Sequence, residues 1–139
     1  MELVVLLIAV PWALAAASID VRTRRLPNVL TVPACLLATT AACVGAAAGE
    51  WEPLVGAAAW CGVYLVGFVC GGIGAGDVKL AVPLGAAVGW VAGPTGVCIA
   101  VVLAQVCSLV AAASARSRAS PHGAAMLLAA YAVCVATIW

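Results

Sequence analysis

Charge is nearly absent from this sequence. Asp, Glu, Lys and Arg make up 8% of its 139 residues, against 67% hydrophobic residues and a mean hydropathy of +1.24. A soluble domain of this size must cover most of its surface with polar groups, so a cytosolic globular enzyme is excluded, and so is a disordered segment. The formal net charge of +1 leaves no basic patch to neutralise phosphates, which excludes nucleic acid as a partner. Polar side chains are scarce as well. There is one His (His122), one Asn (Asn28) and one Gln (Gln105), so polar chemistry must come from very few positions. Paired cysteines are also lacking: Cys35, Cys43, Cys61, Cys70, Cys98, Cys107 and Cys134 stand singly in apolar stretches and form no CxxC. They read as small buried hydrophobes rather than zinc ligands. With His122 alone, no ligand set for a metal is offered, and no cofactor is expected.

What is present is one long succession of apolar runs, the mark of an integral membrane protein in a single membrane-embedded domain. Leu3 to Ile19 is apolar, and Asp20 to Asn28 is polar with three arginines. Val29 to Gly49 and Leu54 to Ile73 flank the acidic turn Glu50-Trp51-Glu52-Pro53. A Gly-rich stretch, Gly74 to Lys79, precedes 34 residues without a charge, Leu80 to Ala113, which is too long for one span of about 20 residues. Gly93-Pro94 falls inside it and is a natural turn, since Pro94 cannot continue a helical ladder freely. Ser114 to Gly123 is polar, and Ala124 to Trp139 closes the chain. The expectation is an all-α protein with six transmembrane helices, about 3–19, 29–49, 54–73, 77–92, 94–113 and 124–139. Without alternating polarity the chain cannot form a membrane barrel.

The charges sort by face. Arg22, Arg24 and Arg25 follow helix one, Lys79 lies between helices three and four, and Arg116 and Arg118 lie between five and six. Six spans put all of these on one face, which the positive-inside rule makes cytoplasmic; Glu2, Glu50 and Glu52 fall on the other, with both termini. The Met1-Glu2-Leu3 start has no basic n-region, so cleavage of helix one as a signal peptide is not expected. Glycines at four-residue spacing (Gly45 with Gly49, Gly67 with Gly71, and Gly85, Gly89 and Gly93) read as packing ridges between helices.

Only two aspartates exist, Asp20 and Asp77. Carboxylates at membrane depth are functional candidates by default. Each also has a simpler reading: Asp20 as an Asx-turn residue or a partner for an arginine, Asp77 as the N-cap of helix four. Their surroundings argue for more. Gly74-Ala75-Gly76-Asp77 sets a carboxylate behind two glycines, where missing side chains let another backbone come close. Asp20 stands seven residues before Pro27-Asn28.

In these segments the sequence resembles the type IV prepilin peptidases and their archaeal preflagellin-peptidase relatives, GxGD intramembrane aspartyl proteases. Their pattern is Asp, a basic stretch and Ile/Leu-Pro-Asn/Asp, then GxGD followed by Val/Met-Lys-Leu. Here the second motif reads Gly74-Ala75-Gly76-Asp77-Val78-Lys79-Leu80. A third element, Pro-Phe/Tyr-Gly-Pro, is replaced by Pro121-His122-Gly123-Ala124, which departs at two positions. The resemblance implies an aspartic endopeptidase with Asp20 and Asp77 as its catalytic residues. Gly74, Gly76, Lys79, Pro27, Asn28, Pro121 and Gly123 would bind substrate or shape the site. The implied substrates are prepilin-like precursors (of the Tad/Flp kind or related) inserted in the inner membrane, cut between a short basic leader and an apolar helix at the cytoplasmic face. Larger bacterial members add a cytoplasmic domain with paired CxxC motifs, linked to N-methylation; this sequence carries neither, as in a minimal, protease-only form.

Two carboxyls hydrolyse a peptide bond when one is ionised and takes a proton from the attacking water while the other, protonated, polarises the carbonyl. Like charges in a poorly hydrated site favour such sharing of one proton. The sequence assigns neither residue to one role. Lys79, on a different helix face from Asp77, is not expected to pair with it. A presenilin-type protease would show Tyr-Asp and Pro-Ala-Leu, and both are absent. The remaining alternative is a small proton-coupled transporter using the two carboxylates, although transporter carboxylates usually lie near mid-membrane.

Overall fold

Glycine and proline cut the apolar sequence into helices. The computed structural model describes residues 2–115 and 122–139, so Arg116, Arg118 and Pro121 lie outside the described residues. Five helices follow one another: α1 (Glu2–Thr23), α2 (Asn28–Ala47), α3 (Glu52–Val69), α4 (Ala75–Ala115) and α5 (His122–Ile138). Among the described residues there is no strand, and the all-α expectation holds.

The glycines serve in three different ways. At the ends of α2 and α3, Gly49 and Gly71 take positive φ (97° and 78°). Glu50 N–H then reaches back to Gly45 O and Gly72 N–H to Gly67 O, the six-to-one bond that closes a helix C-terminus. The pairs Gly45/Gly49 and Gly67/Gly71 are therefore helix stops, a correction to their reading as packing ridges. Gly85 and Gly89 do pack: a Cβ on Gly85 would overlap the Gly56 carbonyl of α3, and one on Gly89 would overlap that of Glu52. Bare backbone surfaces let α3 and α4 approach at contact distance, a main source of attraction between helices surrounded by lipid.

Gly93 does the third job. Its φ of 64° and ψ of −173° are non-helical, so α4 is two arms joined at a break. The arms fold back on each other. A straight helix would separate Asp77 and Ser108 by roughly 46 Å, yet Asp77 lines the same cavity as His122 and Ser108 touches the His122 ring. Two of the six expected helices are thus carried by one continuous element.

α4 is the centre of the bundle and packs against α2, α3 and α5, whereas α1 makes its one substantial helix contact with α5. The core between them is small-residue rich: Trp60, Tyr64, Leu80 and Met126 are fully buried among Ala16, Ala81, Ala100, Ala104 and Ala129. The outside is the reverse of a soluble surface. Leu37, Val69 and Leu109 expose 72%, 78% and 70% of their area, in company with some twenty other large apolar side chains. Among the described residues, α2, α3 and α4 are long and apolar enough to cross a membrane, and α5 is a shorter apolar helix. The protein is a membrane protein.

Candidate active site

The last turn of α1 and the first turn of α4 meet at one end of the bundle. α1 runs on to Thr23, which puts Asp20 inside the helix rather than in a loop. Arg24 follows at φ 52° and its N–H donates to Asp20 O at 2.7 Å, closing the helix end. The Asp20 side chain makes no Asx turn. It is 4% exposed, and its Oδ2 accepts the backbone N–H of Ala124, in the first turn of α5, at 3.0 Å.

Asp77 lies in the first turn of α4, its own N–H bonded to Gly74 O at 3.1 Å. A carboxylate there is favoured by the positive end of the helix dipole. Asp20 and Asp77 line a single cavity of about 290 Å³ together with Arg24, Arg25, Leu26, Gly74, Gly76 and His122. Asp77 feels the negative charge of Asp20 across it.

Of the residues expected to shape the site, Gly74 and Gly76 line the cavity and Gly123 packs against Asp20, whereas Pro27, Asn28 and Lys79 do not line it and Pro121 lies outside the described residues. Pro27 precedes α2 at φ −69° and ψ 139°, and its carbonyl accepts the N–H of Leu30 at 3.0 Å. Lys79 Nζ donates to Asn28 Oδ1 at 2.8 Å, tying the start of α4 to the start of α2. Gly74 sits against Asp77, since a Cβ there would lie 3.5 Å from Oδ2.

Leu26 was not singled out in the sequence, yet it joins two of these glycines. A Cβ on Gly76 would come within 3.2 Å of Leu26 Cβ, and one on Gly123 within 2.9 Å of Leu26 Cδ1 and 3.1 Å of Asp20 Oδ2. The glycines therefore make room for the α1–α2 connection and for the carboxyl itself. The sequence reading also missed the polar group behind the cavity. His122 Nε2 and the Tyr64 hydroxyl are 2.9 Å apart, Gln105 Nε2 donates to that hydroxyl at 3.4 Å, and Ser108 Oγ bonds His122 Nδ1. The available signal was a lone Gln inside a charge-free apolar run, because polar groups at membrane depth need partners. Among the described residues no three His, Cys, Asp or Glu side chains converge to hold a metal ion. The seven cysteines are free, and only Cys134 is buried while Cys43, Cys70 and Cys98 are exposed, a correction to their reading as buried hydrophobes.

The sequence profile of the type IV leader peptidase family matches residues 7–109, a span that includes Asp20, Asp77 and the three connections between them. The chain belongs to that family. It is similar to the prepilin leader peptidase/N-methyltransferases of Burkholderia pseudomallei strains 1026b and K96243, at 39% identity over 115 residues in each case. The match covers 76% of this chain and 36% of each relative, so the chain spans about a third of their length. No solved structure matches it. α5 lies beyond the profile, although it supplies the N–H bound by Asp20.

Proposed function

We propose that this chain is a membrane aspartyl endopeptidase that removes the short basic leader of prepilin-like precursors, of the Tad/Flp kind or related. The observation that carries this reading is the meeting of its only two aspartates in one cavity, from helix ends 57 residues apart in sequence. Membership of the family supports the substrate class. In the proposed cycle one carboxylate takes a proton from water as the oxygen attacks the scissile carbonyl. The other carboxyl, protonated, donates a hydrogen bond to the carbonyl oxygen and stabilises the charge that develops there. The exposed glycine edge at Gly74 leaves room for an extended substrate backbone beside Asp77.

The proposed setting is the inner membrane, with six spans, the site at the cytoplasmic face and both termini outside. Two features support it. The break at Gly93 folds α4 into two antiparallel arms, and Arg24 and Arg25 line the cavity while Glu52 packs against Gly89, an arm's length away. These 139 residues are proposed to cleave without methylating, because their cysteines are single and scattered and form no CxxC.

Purified protein in lipid vesicles, given a precursor with a basic leader and S-adenosylmethionine, tests the whole reading. Wild type is expected to yield a product whose mass shows loss of the leader alone. Asp20→Asn and Asp77→Asn are each expected to lower the cleavage rate by roughly 10³-fold or more, since each removes half of the acid–base pair. Retained cleavage in either variant removes the aspartyl mechanism, and an added methyl group removes the protease-only assignment.

A further inference from the structure

α3, α4 and α5 pack closely on one another, while α1 carries Asp20, packs chiefly on α5 and is tied to α2 by Trp12 Nε1 donating to Leu30 O at 3.2 Å. The contact with α5 bears directly on the aim of the Asp20 carboxyl. The bond that transmits this is Ala124 N–H to Asp20 Oδ2, 3.0 Å, between residues 104 apart in sequence. Gly123 sits directly behind it, so close to Asp20 and Leu26 that a Cβ would have to displace them. The adjacent residue, His122, ties the first turn of α5 to α3 and α4.

Its ring stacks on Tyr64 of α3, with centroids 5.4 Å apart and planes at 29°. Both ring nitrogens are engaged, Nε2 by the Tyr64 hydroxyl and Nδ1 by Ser108 on the second arm of α4. Donor arithmetic gives the directions. The Tyr64 oxygen already accepts from Gln105. Tyr64 is fully buried, so its own proton needs an acceptor, which is His122 Nε2. A neutral ring then carries its proton on Nδ1 and donates it to Ser108 Oγ. The chain Gln105 to Tyr64 to His122 to Ser108 is complete, with no buried phenol proton left over.

We infer that His122 is a positioning residue for Asp20: clamped between Tyr64 and Ser108, it fixes the start of α5 and thereby the N–H that holds the Asp20 carboxyl in register with Asp77. A phenyl ring at this place could stack on Tyr64 but could join neither hydrogen bond. Where the resembled pattern has Phe or Tyr, His122 offers two ring nitrogens, one toward Tyr64 and one toward Ser108. The inference rests on the catalytic reading of Asp20.

The test uses the full chain in lipid vesicles with the same precursor, reading kcat and KM separately. His122→Phe keeps the ring and loses both bonds. It is expected to lower kcat roughly 10- to 100-fold, the scale of a misplacement of about an ångström, with KM within about twofold. His122→Gln, which retains a donor and an acceptor, is expected to restore most of the rate. Ser108→Ala and Tyr64→Phe each remove one hydroxyl and are expected to lower kcat several-fold. Ser108→Ala added to His122→Phe should cost little more, because the two groups act as a unit. Full kcat in His122→Phe overturns the inference. If that variant does not insert, full kcat in both Ser108→Ala and Tyr64→Phe does so instead. Asp20→Asn keeps the two failures apart: an inactive Asp20→Asn beside a fully active His122→Phe sinks the clamp alone, while an active Asp20→Asn sinks the catalytic reading and the clamp with it.

Discussion

Asp20 and Gly123 show what one side chain, and the lack of one, decide at this site. Asp20 is buried with the Ala124 N–H donating to its Oδ2, and Gly123 provides the space for that approach. Gly123→Ala inserts a methyl 3.1 Å from the carboxyl oxygen and 2.9 Å from Leu26. Overpacking of this kind destabilises by about 1–3 kcal/mol. The expected outcome is a lower melting temperature in detergent together with a cleavage rate reduced by at least tenfold, because the relief available is movement of the carboxyl itself. A rate equal to wild type would show that the α5 backbone yields instead. The two aspartates were legible in the sequence through the motifs that flank them, since each taken alone also has a simpler reading. Tyr64, Gln105 and Ser108 were not, because their meaning lies in a convergence of α3 and α4 on His122 that no local spacing reveals. Leu26 fills the Leu of the Leu-Pro-Asn motif, but no sequence pattern says which glycines it touches.

At the scale of the element, the glycines divide by the kind of constraint they meet. Gly93 has open space around its Cα, so its requirement is conformational: φ 64° with ψ −173° is a region populated by glycine almost alone. Gly56 is in ordinary helix, and its requirement is steric, since a Cβ would overlap the Gly85 carbonyl. Gly93→Ala is expected to destabilise by about 1–3 kcal/mol through backbone strain. Gly56→Ala should loosen the α3–α4 crossing and also lower activity, because Tyr64 and the Asp77 arm are set by that crossing. Thermal unfolding of the two variants, with cleavage measured alongside, distinguishes them. A Gly93→Ala protein as stable as wild type would mean that the break is not set by the residue. The glycine spacing in the sequence marked all these positions alike. It could not separate a ridge from a helix stop, because both uses ask only for a missing side chain.

The described residues present an apolar exterior with Asp20, Arg24, Arg25 and Asp77 gathered at one end, and the proposed orientation is tested from there. A reporter fused after Trp139 is expected to register the outer side, and one inserted near Arg116 the cytoplasm, because the proposed six spans put the basic residues of alternate connections at one face. The same side for both reporters would require an even number of spans, or none, between those points and would sink the six-span arrangement. The helical class and the membrane setting were legible from composition alone, and the break in α4 from Gly93-Pro94 inside an uncharged run too long for one span. The bond between Asp20 and Ala124 has a consequence for biosynthesis. Both aspartates leave the ribosome long before α5, so a nascent chain already holds the whole reactive pair while lacking the donor that sets it. Peptidase activity should therefore switch on only when the last helix is inserted, a delay that would keep a half-made protease from cutting whatever shares its translocon.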